Sequence, residues 1–165
     1  MTRERLYRSY IEELCFFNPQ LRNRDSLKDY HEVSGFSDLT WIDLYYGPEV
    51  VGFILVVNGE HCPPDADYMI METYMHPDYR EKGIVFRAVE NLFANNPGRC
   101  GLFILNMNKG ARKFWMRVFD AYQDDVSRVE NVTKQYNTPY VTYHLWEVKK
   151  DLKKVPELKN TKEAS

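Results

Sequence analysis

The sequence predicts an α/β domain with a mixed sheet, on three observations. Its middle reads strand, helix, strand, with enough chain between the strands for a parallel crossover. An antiparallel hairpin flanks that unit on each side, and helical periodicity opens the chain. A length of 165 residues, 44% hydrophobic and 15% aromatic, suits one domain with a packed core.

Each element has its own signal. From Arg5 to Phe17, Leu6, Tyr10, Leu14 and Phe17 recur at helical spacing, and Asn18-Pro19 stops the run. Ser26 to Val33 reads as a second short helix. Leu39 to Tyr46 and Val50 to Val57 are rich in aromatic or β-branched residues, and Gly47-Pro48-Glu49 between them reads as a three-residue hairpin loop. Asn58 to Asp67 is a loop. Tyr68 to Met75 (YMIMETYM) is apolar except at Glu72 and Thr73, which predicts a strand covered on both faces.

The next helix has its apolar stripe at Val85, Ala88, Val89, Leu92 and Phe93, and Asn95-Asn96-Pro97-Gly98 ends it. Gly101 to Met107 reads as a buried strand. A further helix begins near Asn108, with Ala111, Phe114, Trp115, Val118, Phe119 and Tyr122 on one stripe. Val126 to Gln135 and Tyr140 to Val148 read as the last hairpin, turning at Asn137-Thr138-Pro139. These elements assign 1–148 to a single domain and 149–165 to a Lys-rich, flexible tail.

Charge and cysteine content exclude several classes. The net charge of −2 and pI near 6.1 give no electrostatic case for nucleic acid. Six lysines against Asp151, Glu157 and Glu163 put +3 on the tail and leave −5 on the rest. Cys15, Cys62 and Cys100 include no CxxC pair, which argues against a disulfide framework or a zinc site and fits a reducing cytoplasm. The N-terminus is too charged for a signal peptide, and no apolar run approaches a membrane span. The histidines lack metal-ligand spacing, and no GxSxG is present.

The segment Arg80-Glu81-Lys82-Gly83-Ile84-Val85 falls where a strand hands over to a helix. The first N–H groups of a helix lack intrahelical partners, and the helix dipole adds positive potential there. A glycine permits a tight turn and close approach to the backbone, and two basic side chains add charge. Such a loop is able to hold a pyrophosphate. On residue types alone it reads equally as a plain strand–helix turn with exposed charges.

The stretch Ile70 to Ala88 (IMETYMHPDYREKGIVFRA), with Asn108-Lys-Gly-Ala111-Arg-Lys-Phe114-Trp115 a strand later, resembles the GNAT superfamily of acyl-CoA-dependent N-acetyltransferases. The resemblance covers roughly residues 50 to 120. It implies the GNAT acyl-CoA N-acyltransferase fold, a central mixed β-sheet flanked by helices. It also implies acetyl-CoA or CoA as co-substrate, no metal, and an amine-bearing small molecule or protein as acceptor. The implied cofactor-binding residues are Tyr74, Met75, Arg80, Glu81, Lys82, Gly83, Ile84, Val85 and Asn108. In the family, the strands before and after the first crossover helix splay apart to receive the pantetheine arm.

Four positions depart from the family pattern: Glu81 replaces the first loop glycine, Val85 stands where the family usually has Gly or Ala, Trp115 stands where many members have a tyrosine, and Phe119-Asp120 replaces Gly-Phe. An indole N–H donates a hydrogen bond but is no proton donor at neutral pH. Glu72 is the candidate catalytic base, because burial raises a carboxyl pKa into the range where it accepts an ammonium proton. Its other reading is a structural carboxylate. The expected function is N-acetyl transfer to a primary amine. The alternative is a catalytically degenerate binding module of the same fold. Aromatic residues of the two hairpins are expected to serve the core, an acceptor cleft or a homodimer seam.

Overall fold

The computed structural model describes residues 1–129 and 134–152. Two helices open the chain, α1 (Arg3–Phe17) and α2 (Ser26–Ser34), joined through a 3-10 turn at Pro19–Leu21. Thr2 caps α1 by accepting from the Arg5 N–H, and Asp25 caps α2 by accepting from the Leu27 and Lys28 N–H groups. Then come strands β1 (Leu39–Tyr46), β2 (Glu49–Val57) and β3 (Tyr68–Met75), helix α3 (Ile84–Asn95), strand β4 (Gly98–Leu105) and helix α4 (Lys109–Ala121). Strands β5 (Val126–Arg128) and β6 (Val141–Val148) complete the described chain.

The six strands form one mixed sheet in the order β1-β2-β3-β4-β6-β5. Only β3 and β4 run parallel, as the strand–helix–strand reading requires. The other neighbours pair antiparallel. Helices α3 and α4 cover one face over the larger core, which includes Ile54, Ile70, Val89, Phe93, Val118 and Phe119. Helices α1 and α2 cover the other over a smaller cluster with Leu6, Tyr7, Ile11, Val33, Phe53 and Leu55. Strand β3 is therefore covered on both faces, as its near-continuous apolar run predicts.

Several boundaries differ from the sequence reading. The first hairpin turns on two residues, because Tyr46 pairs with Glu49, and Gly47 takes a φ of 57° that few other residues accept there. Strand β4 begins at Gly98 rather than Gly101, since the Asp67 carboxylate accepts from the Arg99 N–H at 2.8 Å and the Asp67 N–H donates back to the Arg99 carbonyl. Among the described residues of the expected strand from Val126 to Gln135, Val126–Arg128 is strand, and Lys134–Tyr136 forms a 3-10 turn instead. Residues 130–133 of that expected strand, and 153–165 of the expected tail, lie outside the described residues.

Candidate active site

The site begins where the sheet opens. Strands β3 and β4 pair only at Tyr68–Cys100, Met69–Gly101 and Ile70–Leu102. Beyond these pairs, β3 from Met71 to Met75 has no partner on β4, although its other edge stays paired with β2. The cause is a bulge: Leu55 opposes Glu72 while its neighbour Val56 opposes Ile70, so Met71 is the extra residue. A bulge bends its strand and raises the local twist. The result is a wedge between two parallel strands with backbone groups of β3 facing into it.

The loop at the mouth of the wedge turns through two left-handed residues. Glu81 has φ 63° and Gly83 has φ 69°, with Lys82 between them. Gly83 is the N-cap of α3 and supplies no side-chain cap, so the first N–H groups of that helix stay available. Such concave runs of backbone N–H groups bind anions. Glu81 thus adopts the backbone of the glycine it replaces, at a strain of about 1 kcal/mol, with its side chain exposed. Val85 is half-buried and packs against the larger core with Ile84 and Phe86.

This geometry sets an expectation for Glu81→Gly. Relief of left-handed strain is partly offset by the freer unfolded chain, so the melting temperature changes little. Loss of a carboxylate beside the helix N-terminus raises affinity for an anionic ligand about two- to fivefold at low ionic strength. Calorimetry with CoA at low and high salt checks it, and the gain should shrink as salt rises.

The remaining loop side chains are engaged nearby. The Lys82 ammonium lies 5.1 Å from the centre of the Tyr46 ring. The Arg80 guanidinium donates from Nε to the Met75 carbonyl at 2.9 Å and from Nη2 to Glu13 Oε2 at 2.5 Å. Asn108 caps α4, its Oδ1 accepting from the Ala111 N–H at 3.0 Å. Trp115 is 4% exposed and packs within the larger core beside Phe114 and Phe119, which makes it a structural residue.

Glu72 points to the opposite face, under α1. Its Oε2 is sealed from solvent and has no hydrogen-bond partner, and the same holds for Tyr7 Oη. Burial pushes the Glu72 carboxyl up to about 8. Arg24 pulls in the other direction, Asp29 adds to the rise, and the Tyr10 and Tyr7 hydroxyls oppose it weakly. Tyr7 and Tyr10 face this carboxyl, and their rings join those of Tyr30, Trp41, Phe53 and Tyr74 in a chain of edge and tilted contacts. The sequence reading placed Tyr10 on a core stripe and passed over Tyr7, Arg24 and Asp29. The available signal was a pair of tyrosines at i and i+3 on an amphipathic helix, since a buried tyrosine hydroxyl needs a polar neighbour.

Wedge, loop and buried carboxyl all lie at the one parallel seam of this α/β sheet. The model of the acetyltransferase (GNAT) family matches residues 3–120, and the chain belongs to that family. Among solved structures it is similar to an acetyltransferase from Thermus thermophilus, at 18% identity, 86% of each chain covered and a TM-score of 0.58. It is also similar to a GNAT-family acetyltransferase from Staphylococcus aureus Mu50, at 13% identity, 86% of this chain and 94% of that one covered, TM-score 0.52. The protein smu.2055 from Streptococcus mutans UA159 matches at 15% identity, 87% and 95% covered, TM-score 0.51. At these identities the likeness is one of fold. No curated protein matches the chain.

Proposed function

We propose that this chain is an N-acetyltransferase that moves an acetyl group from acetyl-CoA to a primary amine by direct transfer. The observation that carries the reading is the wedge between β3 and β4, closed at its mouth by two left-handed residues and a helix start. In the bound state, N–H groups of Glu81, Lys82, Gly83, Ile84 and Val85 would hold the pyrophosphate. Backbone of Tyr74 and Met75 would pair with the pantetheine arm, with Asn108 at the start of α4 on the other side. Acetyl-CoA supplies an acyl carbon activated as a thioester.

Glu72 is the base in this reading. It takes a proton from the ammonium, directly or through water, and the free amine then forms the C–N bond as the C–S bond breaks and the thiolate leaves. Trp115 is no candidate for the acid that protonates this thiolate, because it is buried and its indole holds its proton. The acceptor is an amine-bearing small molecule or a protein amine. A cytoplasmic setting is supported by the free state of Cys15, Cys62 and Cys100.

Thermal unfolding with and without CoA tests the cofactor half of this reading. Ligand at a hundred times Kd stabilises by about 2.7 kcal/mol, which raises the melting temperature by roughly 5–10 °C for a domain of this size. No shift and no calorimetric heat at millimolar CoA or acetyl-CoA would sink it. The second reading, a binding module of the same fold without activity, is favoured by the Glu81 carboxylate at the cradle and by the engagement of Arg80 with Glu13. Thiol release from acetyl-CoA with any member of an amine panel rules that module out.

A further inference from the structure

Arg80 belongs by position to the loop, yet its side chain reaches back past the end of β3 to α1. It bonds Glu13 of α1, 67 residues away, and the Met75 carbonyl, and its charge lies 5.9 Å from the Tyr74 ring centre. Its own N–H donates to the Pro77 carbonyl at 3.2 Å. A planar guanidinium with two acceptors in place is a fixed fork rather than a free cation. Glu13 lies one turn beyond Tyr10 on the helix that also carries Tyr7. The Tyr10 ring meets the Tyr74 ring at 5.9 Å, so Tyr74 neighbours both Tyr10 and Arg80.

We propose that Arg80 and Glu13 are positioning residues: their ion pair ties α1 to the end of β3 and holds the Tyr7–Tyr10 wall over Glu72. This rests on the reading of Glu72 as the base. Arg80 then serves the acceptor side of the site, and the phosphates are left to backbone N–H groups and Lys82. The groups facing Glu72 are Tyr7 and Tyr10 from α1, Arg24 from the segment before α2 and Asp29 from α2. Of the elements that carry them, α1 is the one the ion pair tethers directly. A half-exposed ion pair contributes little to global stability, so variants that break it should fold.

The test uses wild type, Glu13→Gln, Arg80→Gln and the double variant. Calorimetry reads the Kd for CoA, and carbon-13 NMR of labelled glutamate reads the titration of Glu72. In both single variants water reaches the carboxyl, and its midpoint falls by at least about one pH unit. The double variant falls no further, and CoA affinity stays within about twofold throughout. A tenfold loss of CoA affinity in Arg80→Gln overturns the proposal whatever the titration shows, since Arg80 would then hold phosphate. Tighter CoA binding in Glu13→Gln by about tenfold overturns it for the same reason. A smaller movement of the Glu72 midpoint in either single variant also overturns it. If wild type fails to bind CoA, the acetyltransferase reading falls, and the titration still decides the tether.

Discussion

Glu72→Gln is expected to lower amine acetylation by about a hundred- to ten-thousand-fold, the range for loss of a positioned general base. The CoA Kd should not change, because Glu72 pairs with Leu55 of the α1-side cluster, on the far face of the sheet from α3. The base acts only when deprotonated and its pKa is raised to about 8, so the wild-type rate should climb with pH and level off above that value. The glutamine variant should lack this rise.

The same shift bears on stability, with a definite sign. The folded pKa of about 8 lies above the ordinary 4.5, so between these values the folded chain holds a proton that the unfolded chain releases. The contribution of Glu72 is fully present below pH 4.5 and is lost as pH rises through 8. Glu72→Gln should therefore be the more stable protein above pH 8, by roughly 2–4 kcal/mol. Urea unfolding of both proteins across pH 5 to 9 measures it. Parallel curves would show that Glu72 is not buried as described.

Gly52→Ala is the second large effect. Gly52 pairs with Met75 in the β2–β3 ladder, and an added methyl would collide with the Tyr74 carbonyl oxygen. Leu44 Cδ1 and Met75 Cα would each stand 3.2 Å away. Backbone cannot give way as a flexible side chain does, so the expected loss is about 3 kcal/mol. Relief comes by pushing Tyr74 and Met75 toward the wedge, which should weaken CoA by tenfold or more. Gly110→Ala is the control: its nearest contact would be Asn108 Oδ1 at 3.7 Å, and it lies within α4. There alanine should stabilise by about 0.5–1 kcal/mol. Equal behaviour of the two variants would refute the steric argument.

Much of the frame was legible in residue order. The bounds of β1 and β3 read from β-branched and aromatic runs coincide with those observed, and the helix expected to begin near Asn108 starts at Lys109. The α3 and α4 stripes are the faces that meet the larger core. On α1 the reading was off by part of a turn: Tyr7 and Ile11 are buried, whereas Leu14 is only half-buried. That helix shares one face of the sheet with α2, so its inward side is decided by its partners as well as by its own pattern.

The candidate site was legible as motifs and illegible as geometry. Glu81 and Val85 counted against the cradle when read as residue types. In the fold Glu81 takes the left-handed backbone regardless, and Val85 packs, half-buried, against the larger core. Local sequence determined the strand–loop–helix handover, the apolar faces and the one carboxylate on an otherwise apolar strand, because these follow from periodicity and short-range backbone chemistry. The tertiary structure alone decided the wedge at Met71, the tyrosine wall over Glu72 and the union of Arg80 with Glu13. Each depends on contacts between segments far apart in the chain, where a one-residue change of register or a few degrees of twist chooses which side chains meet.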